Sequence, residues 1–305
     1  MTDVALIPAF VNPGAGNYEK AREALASSGR FDIREVSGTR LGDEIRRAVK
    51  EGASRIVVAG GDGTICTAAG ITCGTDVELA ILPAGTLNHF ALDHGIPTDL
   101  AKAAEVALGS ATTMAEVGYA GDRIFLNTSS IGSYVAFVRM RDRLEKRFGY
   151  HLASLIAMVR IFVMMPTVGV QLEVDGAIQT YRTPLVFIGV GERELQVPSL
   201  GGRIKGGKRG LQIFVVRGRK RGRLLSVALA AVARGIDCRT PELDAFLLDH
   251  CTIDRKRRRV HVSFDGEIER KTLPLDYRIE RDALKIVIPE PITEQEGALT
   301  PASGS

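Results

Sequence analysis

The first ninety residues alternate short apolar runs with amphipathic segments, the pattern of a parallel α/β sheet. Residues 41–49 place apolar side chains at i, i+4, i+7 and i+8, which predicts a helix with one buried face. A second helix is predicted over Tyr18–Ser28, and strands are predicted over Val4–Val11, Phe31–Val36, Arg55–Ala59 and Val77–Leu82. Strand, glycine turn and helix repeat three times, so the sequence predicts a doubly wound parallel sheet.

After about residue 125 the pattern changes to apolar runs of strand length. One helix, which we expect to be buried, is predicted over Ala153–Met164, and strands are predicted over Gly169–Val174, Pro184–Val190, Leu211–Val216, Val260–Phe264 and Tyr277–Ile288. Strands that follow an α/β unit predict a second, β-rich domain with antiparallel, sandwich-like packing. We expect domains at 1–128 and 129–276, then a disordered tail at 290–305, and leave open whether the last strand, about 277–289, returns to the first domain.

The composition is that of an ordinary globular protein, with 45% hydrophobic and 25% charged residues. Its 40 basic residues against 36 acidic ones suit nucleotide phosphates or an anionic membrane surface, but the excess is too small to indicate nucleic acid. The sequence has no signal-peptide pattern, and its longest apolar run, Leu152–Met165, contains Arg160 and is too short to span a bilayer. We expect a cytoplasmic protein with at most peripheral membrane contact, and the oligomeric state stays open.

Three glycine turns each follow a predicted strand, at the edge of an α/β sheet where ligands bind. Glycine exposes backbone N–H groups to a phosphate, particularly at the start of a helix. Asp62, the one anion among these glycines, is suited to hold Mg²⁺ directly or through water. One such turn is often only a strand–helix connection, but three indicate a phosphate site. The other candidates in the first turn are Asn12, Gly14 and Gly16. Those in the second turn are Gly60, Gly61, Gly63 and Thr64, and those in the third are Gly85, Thr86 and Asn88.

Four motifs together resemble the diacylglycerol kinase catalytic-domain family, which includes sphingosine kinases and soluble bacterial lipid kinases. They are Asn12-Pro13 with Gly16, Gly60–Thr64, Leu82–Ala91 and Asp265–Glu267, and they extend over roughly residues 4–290. The resemblance implies two domains with ATP and Mg²⁺ bound in the cleft between them. It further implies transfer of the γ-phosphoryl group to a lipid hydroxyl at a membrane surface, with diacylglycerol as the first expected acceptor and a sphingoid base as the second.

The family's motifs also imply roles for individual residues. Asn12, residues 60–64 and Thr86 would contact the nucleotide, and Asp62 would hold the metal. Glu267 would be the general base that takes the proton of the acceptor hydroxyl, which suits a reaction that depends mainly on positioning and charge neutralisation. Asp265 would orient the turn rather than take part in the chemistry.

The sequence departs from the family's pattern at two places. His89 stands where the family usually has Asp, so metal binding would depend more on Asp62. Lys208–Gln212 corresponds to a structural metal site of the family but lacks both carboxylates, so we expect no metal there. A nearby segment, Gly202–Lys208, approaches a Walker A motif by count, but Arg209 follows where Ser or Thr is required, and we expect a basic loop.

Several alternatives stay open from the sequence. An NAD kinase uses a similar glycine turn, although its downstream Asn-Glu signature is absent from this sequence. A nucleotide-binding regulatory protein without turnover is the non-enzymatic alternative. Three basic runs would either attract an anionic bilayer or form solvated loops and helix faces: Arg139–Arg147, Arg217–Arg223 and Arg255–Arg259.

Overall fold

The computed structural model describes residues 6–164, 167–174, 176–195, 200–204, 206–217, 243–254 and 259–290. The helices in these ranges are α1 (Tyr18–Ser28), α2 (Gly38–Lys50), α3 (Asp62–Thr72), α4 (His89–Asp93), α5 (Leu100–Leu108) and α6 (Ser133–Met164). The strands are β1 (Ile7–Val11), β2 (Phe31–Glu35), β3 (Arg55–Gly60), β4 (Glu78–Pro83), β5 (Thr112–Ala120), β6 (Arg123–Phe125), β7 (Thr128–Gly132), β8 (Val168–Val174), β9 (Ala177–Thr183), β10 (Leu185–Val190), β11 (Arg193–Leu195), β12 (Leu200–Arg203), β13 (Leu211–Val216), β14 (Leu243–Leu248), β15 (His250–Asp254), β16 (Arg259–Phe264), β17 (Glu267–Thr272) and β18 (Leu275–Val287).

The N-terminal part is a parallel sheet in the order β2-β1-β3-β4. Four consecutive residues of β3, from Ile56 to Ala59, are fully buried, which requires helices to cover both faces of the sheet. Helix α1 packs against α5, and α2 packs against α3. The predicted doubly wound, parallel α/β unit is therefore confirmed.

Strand β18 continues this sheet into the second half of the chain. It runs parallel to β4 and antiparallel to β5 and β15. With β6 beside β5, and β8 and β9 beyond β15, the described strands form a ten-stranded sheet. Its pairing with β5 changes register between Glu280 and Leu284. Because β18 is 13 residues long, its first residues pair with β15 and its end pairs with β4 of the parallel sheet.

A separate six-stranded antiparallel sheet has the order β14-β13-β10-β7-β16-β17. Tyr277 of β18 is fully buried in the core of this second half. Its ring lies 6.1 Å from that of Phe125, and its hydroxyl lies 3.1 Å from Ser129 Oγ. The predicted β-rich second unit is confirmed.

The helix predicted over Ala153–Met164 is confirmed as part of α6, but the expectation that this helix is buried was wrong. The segment belongs to α6, which is interrupted at Gly149, where φ is 72°. Ala153 and Ala157 are buried, but large apolar side chains of the same segment are exposed, namely Leu155, Met158, Val159 and Met164. An apolar run has no polar face to indicate which side points inward, so the sequence alone could not reveal this exposure.

No helix in the described ranges is long and apolar enough to cross a bilayer. The Walker A-like segment begins in β12, and residues 206–210 lead to β13 without a helix. Most of two basic runs, Arg217–Arg223 and Arg255–Arg259, and all but the first residue of the 290–305 tail lie outside the described residues.

A partly buried ionic network joins β3, β4, α5 and β18. Arg55 donates two hydrogen bonds to Glu78 Oε2, at 2.8 and 2.6 Å, and two more to the carbonyls of Ala107 and Gly109. Lys285 Nζ lies 3.0 Å from the other oxygen of Glu78. Burial acts to raise the pKa of Glu78, but Lys285 and Arg55 outweigh it, so this pKa lies below its ordinary value.

We expect Glu78→Gln to lower the free energy of unfolding by about 1–2 kcal/mol at pH 7, because two cations lose their shared anion. Since the folded pKa is depressed, this stabilisation is present above the unfolded pKa near 4.5 and is lost as the pH falls below it. Urea unfolding at pH 7 and pH 4 should therefore show a gap between wild type and variant that narrows in acid.

Asp43→Asn is the matched control, because Asp43 pairs with Arg46 on an exposed helix face. Such exposed pairs contribute little to stability. A Glu78→Gln deficit of the same size at both pH values would contradict the pKa direction, and a deficit no larger than that of the control would contradict the network's role.

Candidate active site

The structure brings the three glycine turns together at the C-terminal edge of the parallel strands. Asn12 Nδ2 donates to Thr64 Oγ1 at 3.0 Å, which joins the first turn to the second. The Ala84 N–H donates to the Gly60 carbonyl at 3.0 Å, and the Asn17 N–H donates to the Ala84 carbonyl at 3.1 Å. Each turn is therefore hydrogen-bonded to the other two, and their relative positions are fixed without a ligand.

Glycine is required where the second and third turns meet. A Cβ on Gly85 would lie 2.4 Å from the Gly61 Cα, and a Cβ on Gly60 would lie about as close to the Thr64 side chain, at 2.5 Å. Real Cβ atoms do not approach other atoms so closely. Gly85 thus allows the two backbones to pack together and Gly60 leaves room for the Thr64 side chain, a structural role in addition to any contact with phosphate.

The second turn forms the N-terminus of α3. The first helical hydrogen bond runs from the Ile65 N–H to the Gly61 carbonyl at 3.1 Å. The N–H groups of Asp62, Gly63 and Thr64 precede it and have no acceptor within the helix. Together with the positive end of the helix dipole, such N–H groups favour an anion. This end of α3 can therefore receive a phosphate group.

Asp62 connects α3 to α4. Its two carboxylate oxygens accept hydrogen bonds from the backbone N–H groups of His89 and Phe90, both at 3.3 Å. The side chain is only partly buried, so it keeps a face toward solvent. Asp62 thus holds the third motif in place and retains capacity for a further ligand.

The remaining candidates of the first and third turns divide into two groups. Asn88 is buried in a left-handed conformation, and its amide bonds to the Gly85 N–H, the Gly85 carbonyl and the Pro83 carbonyl. It therefore shapes the third turn from inside. Gly14, Gly16 and Thr86 instead lie on the exposed side, where they are accessible to a ligand.

Glu267, from the distant β16–β17 hairpin, lies against the second glycine turn. A methyl group placed on Gly63 would be only 2.7 Å from Glu267 Oε1. The other oxygen, Oε2, accepts from Arg123 Nη2 at 3.0 Å, while Arg123 Nε donates to Glu269 at 2.6 Å. The Glu267 side chain is 59% exposed, so the carboxylate is held in place yet open to solvent.

Asp265 fixes the hairpin turn that carries Glu267. Its carboxylate accepts hydrogen bonds from three consecutive backbone N–H groups, those of Leu126, Asn127 and Thr128, each at 2.8 Å. Desolvation raises the pKa of Asp265 above its ordinary value, although these three donors act to lower it. Because both carboxylate oxygens accept these hydrogen bonds, Asp265 is placed to orient the turn that carries Glu267.

The Asp62 carboxylate suits a metal ion that takes most of its ligands from the phosphates of a bound nucleotide and from water. Within the described ranges no group of three His, Cys, Asp or Glu side chains is placed to hold an ion. Mg²⁺ commonly uses one or two carboxylates and completes its shell with water and phosphate oxygens. Asp62, with one face open, suits that arrangement. In the Lys208–Gln212 segment, which lacks the family's two carboxylates, Arg209 pairs with Asp282 and Gln212 donates to the Phe246 carbonyl.

Sequence reasoning missed Arg123, which pairs with both Glu267 and Glu269. The available signal was the spacing of the two glutamates, since residues two apart on a strand share one face and need a countercharge. Nothing in the sequence identified which cation would supply it. Arg193 was also missed: it is buried and pairs with Asp93 at the end of α4, at 3.1 Å.

A cavity of about 340 Å³ lies on the other side of α4. Its wall includes Glu116, which is 1% exposed and pairs with Arg203 and Arg209. His94 also lines it, and burial, followed by Arg203 and Arg193, lowers its pKa to about 4, so the ring is neutral at pH 7. The cavity's charged groups all have ion-pair partners, since Glu116 pairs with Arg203 and Arg209, and Asp93 pairs with Arg193.

Fold and site define an α/β protein whose sheet edge has a helix N-terminus suited to phosphate, with a carboxylate facing it from a β-rich unit. The family model for the diacylglycerol kinase catalytic domain matches residues 7–120. The resemblance to that family is thereby confirmed over this range, which contains the first three motifs but not Asp265–Glu267.

Curated relatives carry related names. A "Diacylglycerol kinase" of Mycobacterium tuberculosis is 33% identical over 110 residues, which cover 33% of this chain and 36% of that protein. A Pseudomonas putida protein named "Probable lipid kinase YegS-like" is 35% identical over 152 residues, covering 48% and 50%. The chain thus spans between about a third and a half of the length of these curated relatives.

A solved structure described as a diacylglycerol kinase from Bacillus anthracis superposes with a TM-score of 0.67. The superposition covers 95% of this chain and 98% of the Bacillus anthracis chain, at 20% sequence identity. At that identity the likeness establishes the fold alone. The two-domain arrangement is therefore supported well beyond the range that the family model matches.

We expect Asp265→Asn to lower the free energy of unfolding by about 1–3 kcal/mol, measured by urea denaturation. Asn has one acceptor oxygen and one NH₂ group, so at least one of the three backbone donors would face another donor. Asp265 has a positive φ of 47°, which Asn also tolerates, so backbone strain is not changed.

Asp282→Asn is the control, because Asp282 also has a positive φ, of 52°, but has an exposed side chain. Its loss should be much smaller. Equal losses for the two variants would contradict the stabilising role that we assign to the three hydrogen bonds of Asp265.

Proposed function

We propose that this protein is an ATP- and Mg²⁺-dependent lipid kinase. It transfers the γ-phosphoryl group to the hydroxyl of a lipid alcohol, with diacylglycerol as the first acceptor and a sphingoid base as the second. One observation carries the proposal: Glu267 Oε1 lies against Gly63, beside the helix N-terminus suited to phosphate. A carboxylate beside a helix end suited to phosphate supports this proposal, because phosphoryl transfer to a hydroxyl needs a base close to the phosphate.

Each residue has a defined task in this mechanism. The N–H groups at the start of α3 bind phosphate oxygens, and Asp62 provides the carboxylate for the metal. Bound Mg²⁺ neutralises charge on the phosphates during transfer. Glu267 accepts the proton of the acceptor hydroxyl at Oε1, while Arg123 holds Oε2 and so fixes the direction of the carboxylate.

A nucleotide-binding protein without turnover is the second candidate. It is favoured by the hydrogen bonds of Asp62 to the His89 and Phe90 N–H groups, since these occupy part of the carboxylate. The same site would then bind ATP without transfer. Activity measurements on matched glutamate variants separate the two functions.

We expect Glu267→Gln to reduce transfer of labelled γ-phosphate to a total lipid extract by about 10²–10⁴-fold, the usual contribution of a general base. Nucleotide binding should be retained, because the change leaves the glycine turns intact. Glu269→Gln is the matched control, since Glu269 also pairs with Arg123 but does not contact Gly63 in the described structure. It should retain most of the activity.

Full activity in Glu267→Gln would exclude this base. Equal losses in both glutamate variants would indicate that only the pairing with Arg123 matters. Wild-type protein that binds ATP and labels no lipid would favour the regulatory protein.

We expect Asp62→Asn to abolish the strengthening of ATP binding by Mg²⁺ while leaving metal-free binding nearly unchanged. The amide keeps one acceptor oxygen for α4 but loses the charge that binds the ion. Calorimetric titration of ATP with and without Mg²⁺ provides the measurement. An unchanged Mg²⁺ dependence would remove Asp62 from the metal site.

A further inference from the structure

The second half of α6 presents large apolar side chains outward. Leu152, Leu155, Met158 and Val159 are 48%, 53%, 56% and 54% exposed, and we call this set the apolar ridge. Ala153 and Ala157, four residues apart, are fully buried on the opposite side. Helices on globular proteins normally bury large apolar side chains and expose polar ones. Here the small residues face the protein and the large ones face out.

Positive charge surrounds this ridge. Residues 139–160 contain six Arg or Lys against two Asp or Glu, a net charge of +4, and residues 148–164 contain no acidic residue. Arg143, Arg147 and Arg160, which flank the ridge in the sequence, are exposed. An outward apolar face flanked by cations matches a helix that lies in the interface of an anionic bilayer.

We propose that the apolar ridge and its flanking arginines dock on the surface of an anionic lipid bilayer. Apolar side chains insert among the acyl chains near the headgroups, and the arginines contact lipid phosphates. A second copy of this chain would instead bring like charges together around the ridge, whereas anionic lipids neutralise them.

The docking surface is connected to the candidate base. The first half of α6 packs on β7 and β16, and Arg139 Nη1 lies 3.4 Å from His261 Nδ1 of β16. Strand β16 leads directly into the turn that carries Asp265 and Glu267. Docking through α6 thus connects the membrane, through one interrupted helix, to the unit that bears the candidate base, an inference that rests on the proposed lipid kinase function.

The test is co-sedimentation with vesicles of phosphatidylcholine, alone or mixed with phosphatidylglycerol. We expect wild type to bind the mixed vesicles, with binding that weakens as salt increases. The variant L155Q/V159Q should bind at least about tenfold more weakly, because two apolar side chains no longer leave water. Arg143→Gln and Arg147→Gln should each weaken binding by about fivefold.

Ile178→Gln is the matched control, since Ile178 is a 66% exposed apolar residue on β9, away from the ridge. It should bind like wild type. All variants change exposed side chains, and circular dichroism checks that they fold. Absence of wild-type binding to mixed vesicles, or equal binding by L155Q/V159Q, would overturn the proposal.

Two further measurements separate the other outcomes. If sedimentation velocity shows a wild-type dimer that L155Q/V159Q disrupts, while vesicle binding is unchanged, the ridge binds a second copy and the proposal fails. Phosphoryl transfer to detergent-dispersed lipid tests the proposed function without docking. L155Q/V159Q should keep this activity, so failure of the kinase assignment and failure of docking give different results.

Discussion

One carboxylate fixes the turn that places Glu267 against the glycine turns of the first half of this protein. The Asp265 carboxylate accepts hydrogen bonds from the backbone N–H groups of residues 126–128. In this segment the chain leaves the strands of the first sheet for β7 of the second. Three charge-assisted hydrogen bonds from a rigid backbone define both the position and the direction of the turn. Glu267, two residues later, is directed at Gly63 as a consequence.

The glycine turns could be predicted because their information is local. A glycine next to a strand end and a helix start has few interpretations, and three such turns in parallel strands must share one edge. The same reasoning predicted α1 to the residue. It did not reveal why Gly85 is needed. That reason is the approach of Gly61, which only the folded chain brings near.

The parts that the sequence did not predict depend on tertiary partners. Strand β5 was missed partly because it contains Glu116, which is tolerated in a buried position since Arg203 and Arg209 pair with it. Arg123 lies in a three-residue strand with no motif of its own. For α6, the apolar segment indicated burial, but the sequence cannot distinguish burial in protein from contact with another apolar phase.

Contact of the α6 apolar segment with a bilayer would have a physical consequence for the lipid kinase that we propose. ATP reaches the site from water, whereas the acceptor hydroxyl lies at the boundary of a bilayer, so the base must be accessible from both. The exposed Glu267, held by Arg123 instead of being enclosed, meets the first requirement. With the docking that we propose, the cationic, apolar face of α6 meets the second, because α6 packs against the strand that leads to Glu267. Exposure of the ridge is unfavourable in water. A bilayer would remove that penalty, so the same feature that weakens the free protein favours the bound one.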